Sequence, residues 1–369
     1  MSAPAPIPFI DLRPGEDAAL VREAIDRVIA RGWFVLGPEV EQFEAAFASA
    51  SGAPFAVGVG SGTDAISLAL RALDIGAGDE VIIPALTAAY TGLAVIAAGA
   101  RPVIVDVDAD TLTIDPAACA AAVTPRTRAI VPVHLYGQPA EMNAVRRVAG
   151  RHSLAIVEDC CQAHLATEDG VPVGTRADAV AFSFYPTKNL GALGDGGAVV
   201  TGNASLAERI RRLRNGGQSH RYHHLEAGVN SRLDELQAAV LAARLPRLLH
   251  WTARRRTLAA LYRRELPTAV ATIRERDPGH VYHLFPVRVP DRDALQGHLT
   301  SAGIETLIHY PVALTEQPAL ATLASRECPV AAAAAREVLS LPLHPRLSDA
   351  DAIRVAREVE AFRKGRRLE

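Results

Sequence analysis

Residues 183–191 read Ser183-Phe184-Tyr185-Pro186-Thr187-Lys188-Asn189-Leu190-Gly191, where a hydrophobic strand predicted over residues 179–184 meets a glycine-rich loop. Of the 39 basic residues in the chain only two are lysines, and the other, Lys364, lies in a basic tail near the C-terminus. Arginine stays protonated, whereas a lysine amine can lose its proton and attack a carbonyl to form a Schiff base. Lys188 is therefore a candidate covalent catalyst rather than a surface charge.

Short β-branched runs alternate with Ala/Leu-rich helical runs through the first half of the chain. Strands are predicted over residues 56–59, 80–83, 102–107, 129–133, 154–157, 179–184 and 198–201. Helices are predicted over residues 63–73, 115–122, 140–151 and 205–215. This alternation predicts an α/β domain with a mostly parallel sheet that helices cover on both faces.

The second half of the chain has a different pattern. Its predicted elements are a helical run over residues 231–264 with a break near Pro246, a strand over 281–289, a helix over 291–302 and a last helix from about Ser348. Asp351 stands three residues after Ser348, as a helix cap requires. We expect a large domain over residues 1–245 and a smaller α+β domain over residues 246–369.

Composition excludes several classes of protein. A net charge of −2 gives no support for binding to nucleic acid or to a charged membrane surface. No apolar run approaches the roughly 20 residues that span a bilayer, and residues 1–8 lack the basic and apolar regions of a signal peptide. The four cysteines have no metal-ligand spacing. We therefore expect a soluble cytoplasmic protein.

Two further stretches belong with Lys188. Val157-Glu158-Asp159-Cys160-Cys161-Gln162-Ala163-His164 places a carboxylate at the end of a buried strand, where parallel α/β sheets bind ligands. Gly58-Val59-Gly60-Ser61-Gly62-Thr63-Asp64-Ala65 runs from a strand through a glycine turn into a helix, whose free N–H groups suit a phosphate. A dinucleotide loop is the alternative, but Thr63 stands where its third glycine should be. Lysine, carboxylate and phosphate cradle together predict a site for pyridoxal 5′-phosphate.

Two groups of residues resemble metal sites, but each lacks ligands that such a site needs. Asp106, Asp108 and Asp110 imitate a calcium loop, but Thr111 replaces the needed glycine and Ala117 the bidentate glutamate. A histidine group within residues 220–224 has no second group of Cys or His at metal-ligand spacing. We predict no metal site.

Four ordered stretches, residues 60–65, 158–164, 183–197 and 230–238, resemble the DegT/DnrJ/EryC1/StrS aminotransferases, which aminate keto-sugars bound to nucleotides. The resemblance extends from about residue 7 almost to the C-terminus. It implies a fold-type I (aspartate aminotransferase-like) enzyme whose large domain has a mostly parallel seven-stranded sheet. It also implies pyridoxal 5′-phosphate as cofactor and a homodimer whose active sites lie at the subunit interface.

The resemblance assigns roles residue by residue. Lys188 would carry the cofactor, and Asp159 would pair with its pyridine nitrogen, so these two are the expected catalytic residues. The remaining expected cofactor contacts are Gln162 to the ring hydroxyl, Gly62, Thr63 and Ser183 to the phosphate, and Asn230 to the phosphate in the partner subunit's site.

Lys188 also separates this chain from dehydratase relatives, which have histidine at that position. The form of the Lys188 motif, the stretch His134-Leu135-Tyr136-Gly137-Gln138-Pro139 and Asp195 resemble the branch that aminates C3 of dTDP-3-keto-6-deoxyhexoses. The candidate substrate contacts are Tyr185, Tyr222, His223, His224 and Tyr310. Glutamate or glutamine is the expected amino donor. The alternatives are a C4 (perosamine-type) enzyme, a keto-inositol aminotransferase and a cofactor-binding regulator without turnover.

Two positions depart from the family pattern. Ala88 stands where relatives place an aromatic that stacks on the cofactor ring, and Tyr90 lies two residues further on. The family's Tyr-Pro-x-x-Leu-His motif ends here in Thr315 instead of histidine. We expect an altered acceptor pocket and an open face of the ring beside Ala88, because a two-residue offset turns a side chain away.

Overall fold

The computed structural model describes residues 5–323 and 326–366. Residues 1–4, at the start of the stretch that lacks a signal peptide pattern, lie outside the described residues. So do residues 324–325 and 367–369 of the predicted smaller domain. The strands are β1 Phe55–Val59, β2 Glu80–Pro84, β3 Arg101–Val105, β4 Thr127–Ile130, β5 Ala155–Asp159, β6 Thr167–Glu168, β7 Val171–Pro172, β8 Ala179–Ser183, β9 Gly197–Thr201, β10 Gln218–His220, β11 His223–His224, β12 Ala271–Thr272, β13 Phe285–Arg288 and β14 Val338–Leu341.

The helices surround these strands. They are α1 Ala18–Arg31, α2 Pro38–Ala50, α3 Gly62–Ala72, α4 Ala89–Ala97, α5 Pro116–Ala122, α6 Met142–His152, α7 Ala204–Leu213, α8 Glu235–Arg244, α9 Leu248–Glu265, α10 Arg292–Ser301, α11 Pro318–Ala321, α12 Pro329–Glu337 and α13 Asp349–Arg366. Short 3₁₀ turns cover Leu135–Gly137, Leu245–Arg247 and Leu314–Glu316. No helix in the described ranges combines the length and apolar character of a membrane span.

The seven-stranded sheet has the order β1-β9-β8-β5-β4-β2-β3. Only β9 runs against its neighbours, pairing antiparallel with both β1 and β8, and every other pair from β8 to β3 is parallel. The carboxyl ends of β1, β2, β5 and β8 therefore meet at one edge. In open α/β sheets this edge is where ligands bind.

Both faces of the sheet are covered, because successive strand residues point to opposite sides. On one side Val57 packs with the apolar residues of α3 and α7. On the other side Ala56 joins a cluster that contains Phe43 and Phe47 from α2. This confirms the predicted α/β class and the seven-stranded, mostly parallel sheet.

A second sheet, in the order β12-β13-β14, packs with α9, α10 and α13 around a separate cluster of apolar side chains. The rings of Tyr262 and Phe285 lie at its centre, 5.0 Å apart. The last helix is capped as predicted, with the Asp351 N–H donating to Ser348 Oγ at 3.0 Å. The boundary between residues 245 and 246 stays a prediction.

One predicted strand is too long. Residues 281–284 do not continue β13, because Tyr282 has a left-handed φ of 45°. The Val281 N–H donates to the Gly137 carbonyl at 2.9 Å instead of to a neighbouring strand. The helical run predicted over 231–264 begins only at Glu235 and is interrupted at Leu245–Arg247, close to the predicted break.

Candidate active site

The sequence-predicted groups meet at the carboxyl edge of the large sheet. Asp159 is the last residue of β5 and Ser183 is the last residue of the adjacent β8. Lys188 follows Ser183 in a tight turn, in which its N–H donates to the Tyr185 carbonyl at 2.8 Å. The turn from β1 into α3 reaches the same edge, since a Cβ on Gly62 would lie 2.7 Å from Ser183 Cβ.

The start of α3 offers unpaired donors. Ser61 caps the helix by accepting the Asp64 N–H at 3.1 Å, and Ser231 Oγ accepts the Gly60 N–H at 2.9 Å. Within the described residues, the N–H groups of Gly62 and Thr63 have no acceptor. Free N–H groups in the first turn of an 11-residue helix bind anions well. Only glycine fits at residue 62, because a side chain there would also meet Cys161 Sγ at 2.7 Å.

The Asp159 carboxylate is held on both oxygens. Its Oδ1 accepts the Cys161 N–H at 3.1 Å and its Oδ2 accepts the Thr91 hydroxyl at 2.9 Å. Thr91 is buried, and its Oγ1 lies 3.2 Å from Thr87 Oγ1. Sequence reasoning missed Thr91, because it lies in the mostly apolar helix α4 and nothing local marks its side chain as facing Asp159.

The Lys188 side chain is half-buried. Protein atoms nevertheless surround its amine closely enough for desolvation to lower the pKa of the amine. Cys161 and Asp159 act against that shift. Burial raises the pKa of the Cys161 thiol well above its ordinary value, so the thiol stays neutral. A lysine with a lowered pKa has a larger neutral fraction, which is the nucleophilic form.

Three histidines near Lys188, the buried His164 and His283 and the half-buried His309, are neutral at pH 7. Burial, followed by the Lys188 charge, lowers the pKa of His164 to about 3 and of His309 to about 4, and takes that of His283 well below its ordinary value. His283 Nδ1 lies 3.2 Å from Asn189 Oδ1, and Asn189 Nδ2 donates to the Val281 carbonyl at 3.0 Å. These bonds tie the Lys188 turn to residues 281–283, which explains why β13 starts late.

Gln162 lies beside the candidate cofactor groups with a fixed orientation. Its Oε1 accepts the Tyr136 N–H at 2.6 Å, and its Nε2 donates to the Tyr310 hydroxyl at 2.9 Å. One amide N–H of Gln162 and the hydroxyl proton of Tyr310 remain for a ligand. The structure thus joins Gln162 and Tyr310, which the sequence had assigned separately to cofactor and substrate.

The other predicted contacts face outward. The exposed fraction is 51% for Tyr185 and 80% for Tyr222. His223 and His224 are exposed on the β10–β11 hairpin, where His224 Nδ1 lies 2.7 Å from the Gly216 carbonyl oxygen. Asn230 is exposed beside Asn215. Their roles stay predictions, and their exposure leaves them available to a partner subunit.

The metal-like groups have structural partners. The Asp106 carboxylate accepts N–H groups of Val330 and Ala331 at the start of α12. His134, Glu158 and Cys160 form a buried cluster. Both ring nitrogens of His134 are engaged, with the Glu158 carboxylate at 3.0 Å and the Ala140 N–H at 2.9 Å. A metal ligand needs a free ring nitrogen, so this cluster fits a hydrogen-bonded support behind β5 better than a metal site.

These residues fit pyridoxal 5′-phosphate. The unpaired N–H groups at Gly62 and Thr63 suit its phosphate, the buried Asp159 suits its pyridine nitrogen, and the Lys188 amine, close enough to Asp159 to feel its charge, has a lowered pKa. The fold and site define a fold-type I aminotransferase that uses this cofactor.

The chain belongs to the DegT/DnrJ/EryC1/StrS aminotransferase family, whose model matches residues 16–360. A dTDP-3-amino-3,4,6-trideoxy-alpha-D-glucose transaminase from Streptomyces venezuelae is 51% identical over 356 residues, 95% of this chain and 94% of that protein. The Erythromycin biosynthesis sensory transduction protein EryC1 from Saccharopolyspora erythraea is 51% identical over 349 residues, 93% of this chain and 95% of that protein. The crystal structure of S. venezuelae DesV with a ketimine intermediate matches with a TM-score of 0.95 and 49% identity, covering 97% of this chain and 99% of that one.

Proposed function

We propose that this enzyme transfers an amino group to C3 of a dTDP-3-keto-6-deoxyhexose, with glutamate or glutamine as the amino donor. The observation that carries the proposal is the meeting of Lys188, Asp159 and the α3 amino terminus at one sheet edge. The sugar, the nucleotide and the carbon follow the similarity to the S. venezuelae transaminase, which covers almost the whole chain.

Each residue has a distinct task in this mechanism. When bound, pyridoxal 5′-phosphate supplies an electron sink that stabilises negative charge at the carbon losing its proton. Lys188 would hold the cofactor through its amine and would move the substrate proton as general base and then general acid. Asp159 would keep the pyridine nitrogen protonated. The N–H groups of Gly62 and Thr63 would orient the phosphate.

Donor and acceptor use the site in turn, which predicts ping-pong kinetics. Gln162 and Tyr310 each keep one proton free for a ligand, so they can donate hydrogen bonds to oxygens of the cofactor or the sugar. We propose a cytoplasmic homodimer, in which Asn230 and the exposed group Tyr222, His223 and His224 reach the partner's site.

The test loads the enzyme with amino groups from glutamate, removes the donor, and then offers a panel of keto-sugars linked to dTDP, UDP or GDP. We expect one equivalent of amino-sugar per site with the dTDP-3-keto-6-deoxyhexose, measured by mass spectrometry. Products with the amine at C4, or turnover only with a keto-inositol, would replace the proposed substrate.

A regulatory role is the second candidate, because the S. erythraea relative carries a sensory-transduction name. A regulator without turnover would bind the cofactor but would leave its absorbance unchanged when glutamate is added. We expect glutamate to convert the bound cofactor and to release one 2-oxoglutarate per site, which excludes a pure sensor.

A further inference from the structure

A cavity of about 460 Å³ borders the Lys188 turn. Its walls come from residues 186–193, from the segment at residues 10–17, from the start of α9 and from residues 344–346. Lys188 is one of its lining residues. A volume of this size accommodates a small organic ligand.

Arginines dominate the lining, and most of them are neutralised. Arg13 and Arg346 share the Asp11 carboxylate, each at 3.0 Å. Arg244 pairs with Asp17 at 2.7 Å. The lining residue Arg254 pairs with Asp349, also at 2.7 Å.

Arg255 is the exception among the lining arginines of the described chain, since it has no carboxylate partner. It is only 4% exposed, and its Nη1 donates to the carbonyls of Tyr282, His283 and Leu343. Its Nε–H has no acceptor. Burial lowers the Arg255 pKa to about 10, so the group stays charged at neutral pH. A buried charge without a counter-ion is costly.

His344 is the second buried group without a partner in the same cavity. It is 6% exposed, and neither of its ring nitrogens completes a hydrogen bond, although the Pro8 carbonyl is near enough to raise its pKa slightly. Burial and the charges of Arg255 and Arg346 lower that pKa to about 4. His344 is therefore neutral at pH 7 and has one N–H to donate.

We propose that this cavity binds a carboxylate of the amino donor, held by Arg255, His344 and Arg346. The assignment rests on the proposed function, because it places the donor beside Lys188. Carboxylates are the groups that guanidinium N–H donors match best, and phosphates share that chemistry. The single positive charge of Arg255 matches the single negative charge of one carboxylate. The diphosphate of a sugar nucleotide carries two negative charges.

The test uses holoenzyme and two non-reacting probes, glutarate for the donor and dTDP for the acceptor, titrated by calorimetry. We expect glutarate to bind the wild type. His344→Phe and, independently, Arg346→Gln should weaken glutarate binding on the order of tenfold or more, because a hydrogen bond to a charged group is lost. His344→Gln keeps a donor and should restore much of the affinity. Binding of dTDP should stay unchanged throughout.

The matched control is His152→Phe, which removes an exposed histidine at the end of α6. Glutarate that fails to bind the wild type, or binds all variants equally, overturns the proposal. Variants that lose affinity only for dTDP also overturn the proposal, because that result would assign the cavity to the sugar nucleotide. Should Arg346→Gln fold while His344→Phe does not, Arg346→Gln alone decides. Wild type that releases a 2-oxo acid from neither glutamate nor glutamine refutes the proposed function, a result separate from either probe.

Discussion

At the scale of single residues, the chain uses different basic residues for positive charge and for reactivity. It uses arginine for ordinary positive charge and keeps a lysine where an amine must lose its proton. The surroundings agree with this division, because burial lowers the pKa of both side chains, yet Arg255, with a pKa of about 10, remains charged at neutral pH.

Lys188→Arg should abolish amino transfer while the fold is retained. The guanidinium keeps the positive charge near Asp159 but cannot act as a nucleophile or exchange a proton at neutral pH. Turnover and the absorbance of bound cofactor measure the loss, and circular dichroism checks the fold. An Arg variant with wild-type turnover would remove Lys188 from the mechanism.

Thr91→Val should weaken cofactor binding and slow turnover, each by roughly tenfold to a hundredfold, since a hydrogen bond to a charged group contributes about 1.5–3 kcal/mol. Valine has nearly the shape of threonine but cannot donate to Asp159 Oδ2. Titration of apoenzyme with pyridoxal 5′-phosphate measures the affinity. Thr91→Ser, the matched control, should recover most of it, and equal affinities for all three proteins would make Thr91 a packing residue.

At the scale of elements, the sequence predicted strands better than the helices between them. The predicted strands over 154–157 and 179–184 ended within two residues of Asp159 and Ser183, because the end of a hydrophobic run is a local signal. Helix α4 was missed. Its sequence is apolar on nearly every side, so it has no helical periodicity, and Tyr90, Leu93 and Ile96 remain exposed on it.

Contacts between elements that are distant in the chain could not be predicted from the sequence. The Thr91–Asp159 bond joins α4 to β5, and the His283–Asn189 pair joins the Lys188 turn to a segment 94 residues away. Neither residue pair has a spacing that one sequence reveals. Such pairs depend on how the elements pack, whereas the Gly62 and Lys188 motifs are contiguous and could be read directly.

The start of α4 makes a prediction about the cofactor ring. Tyr90 is 65% exposed, so its side chain is not held in the site by the described residues. Ala88→Phe should therefore tighten cofactor binding by up to roughly tenfold, because an aromatic contact contributes about 0.5–1.5 kcal/mol. Tyr90→Ala should have no effect. The opposite pattern in an apoenzyme titration would mean that Tyr90 supplies the stack.

At the scale of the molecule, the active site is expected to need two subunits. Asn230 is exposed, and so are the large side chains Trp33, Phe34 and Tyr185. Mixing Lys188→Ala with Asn230→Ala should restore part of the activity after subunit exchange, since one site of each mixed dimer is intact at both positions. Each variant incubated alone is the control. No recovery despite exchange would place both residues in the same chain's site.

The protein should lose stability in mild acid. Burial lowers the pKa of five histidines, to about 3 for His164 and His280, to about 4 for His309 and His344, and well below its ordinary value for His283. The unfolded chain takes up these protons near pH 6.5, so the unfolded state binds more protons and stability falls as pH falls below that value. Each histidine contributes a slope of about 1.4 kcal/mol per pH unit.

Urea unfolding of the holoenzyme at pH 7.5, 6.5 and 5.5 measures this slope. With pH 8 and pH 5 added to the series, the free energy of unfolding should change little between pH 8 and 7.5, where histidines are neutral in both states, and fall steeply below pH 6.5. A flat profile down to pH 5 would show that these histidines are not buried in solution.

The antiparallel strand β9 has a consequence for synthesis on the ribosome. Strand β1 has its sheet partner in β9, with Phe55 opposite Thr201. Translation proceeds at about 5–20 residues per second, so β1 waits on the order of 10–30 s before its partner exists. During that time the nascent chain exposes an apolar strand with no neighbour. Chains arrested before residue 197 should therefore recruit chaperones that chains released after residue 201 no longer need.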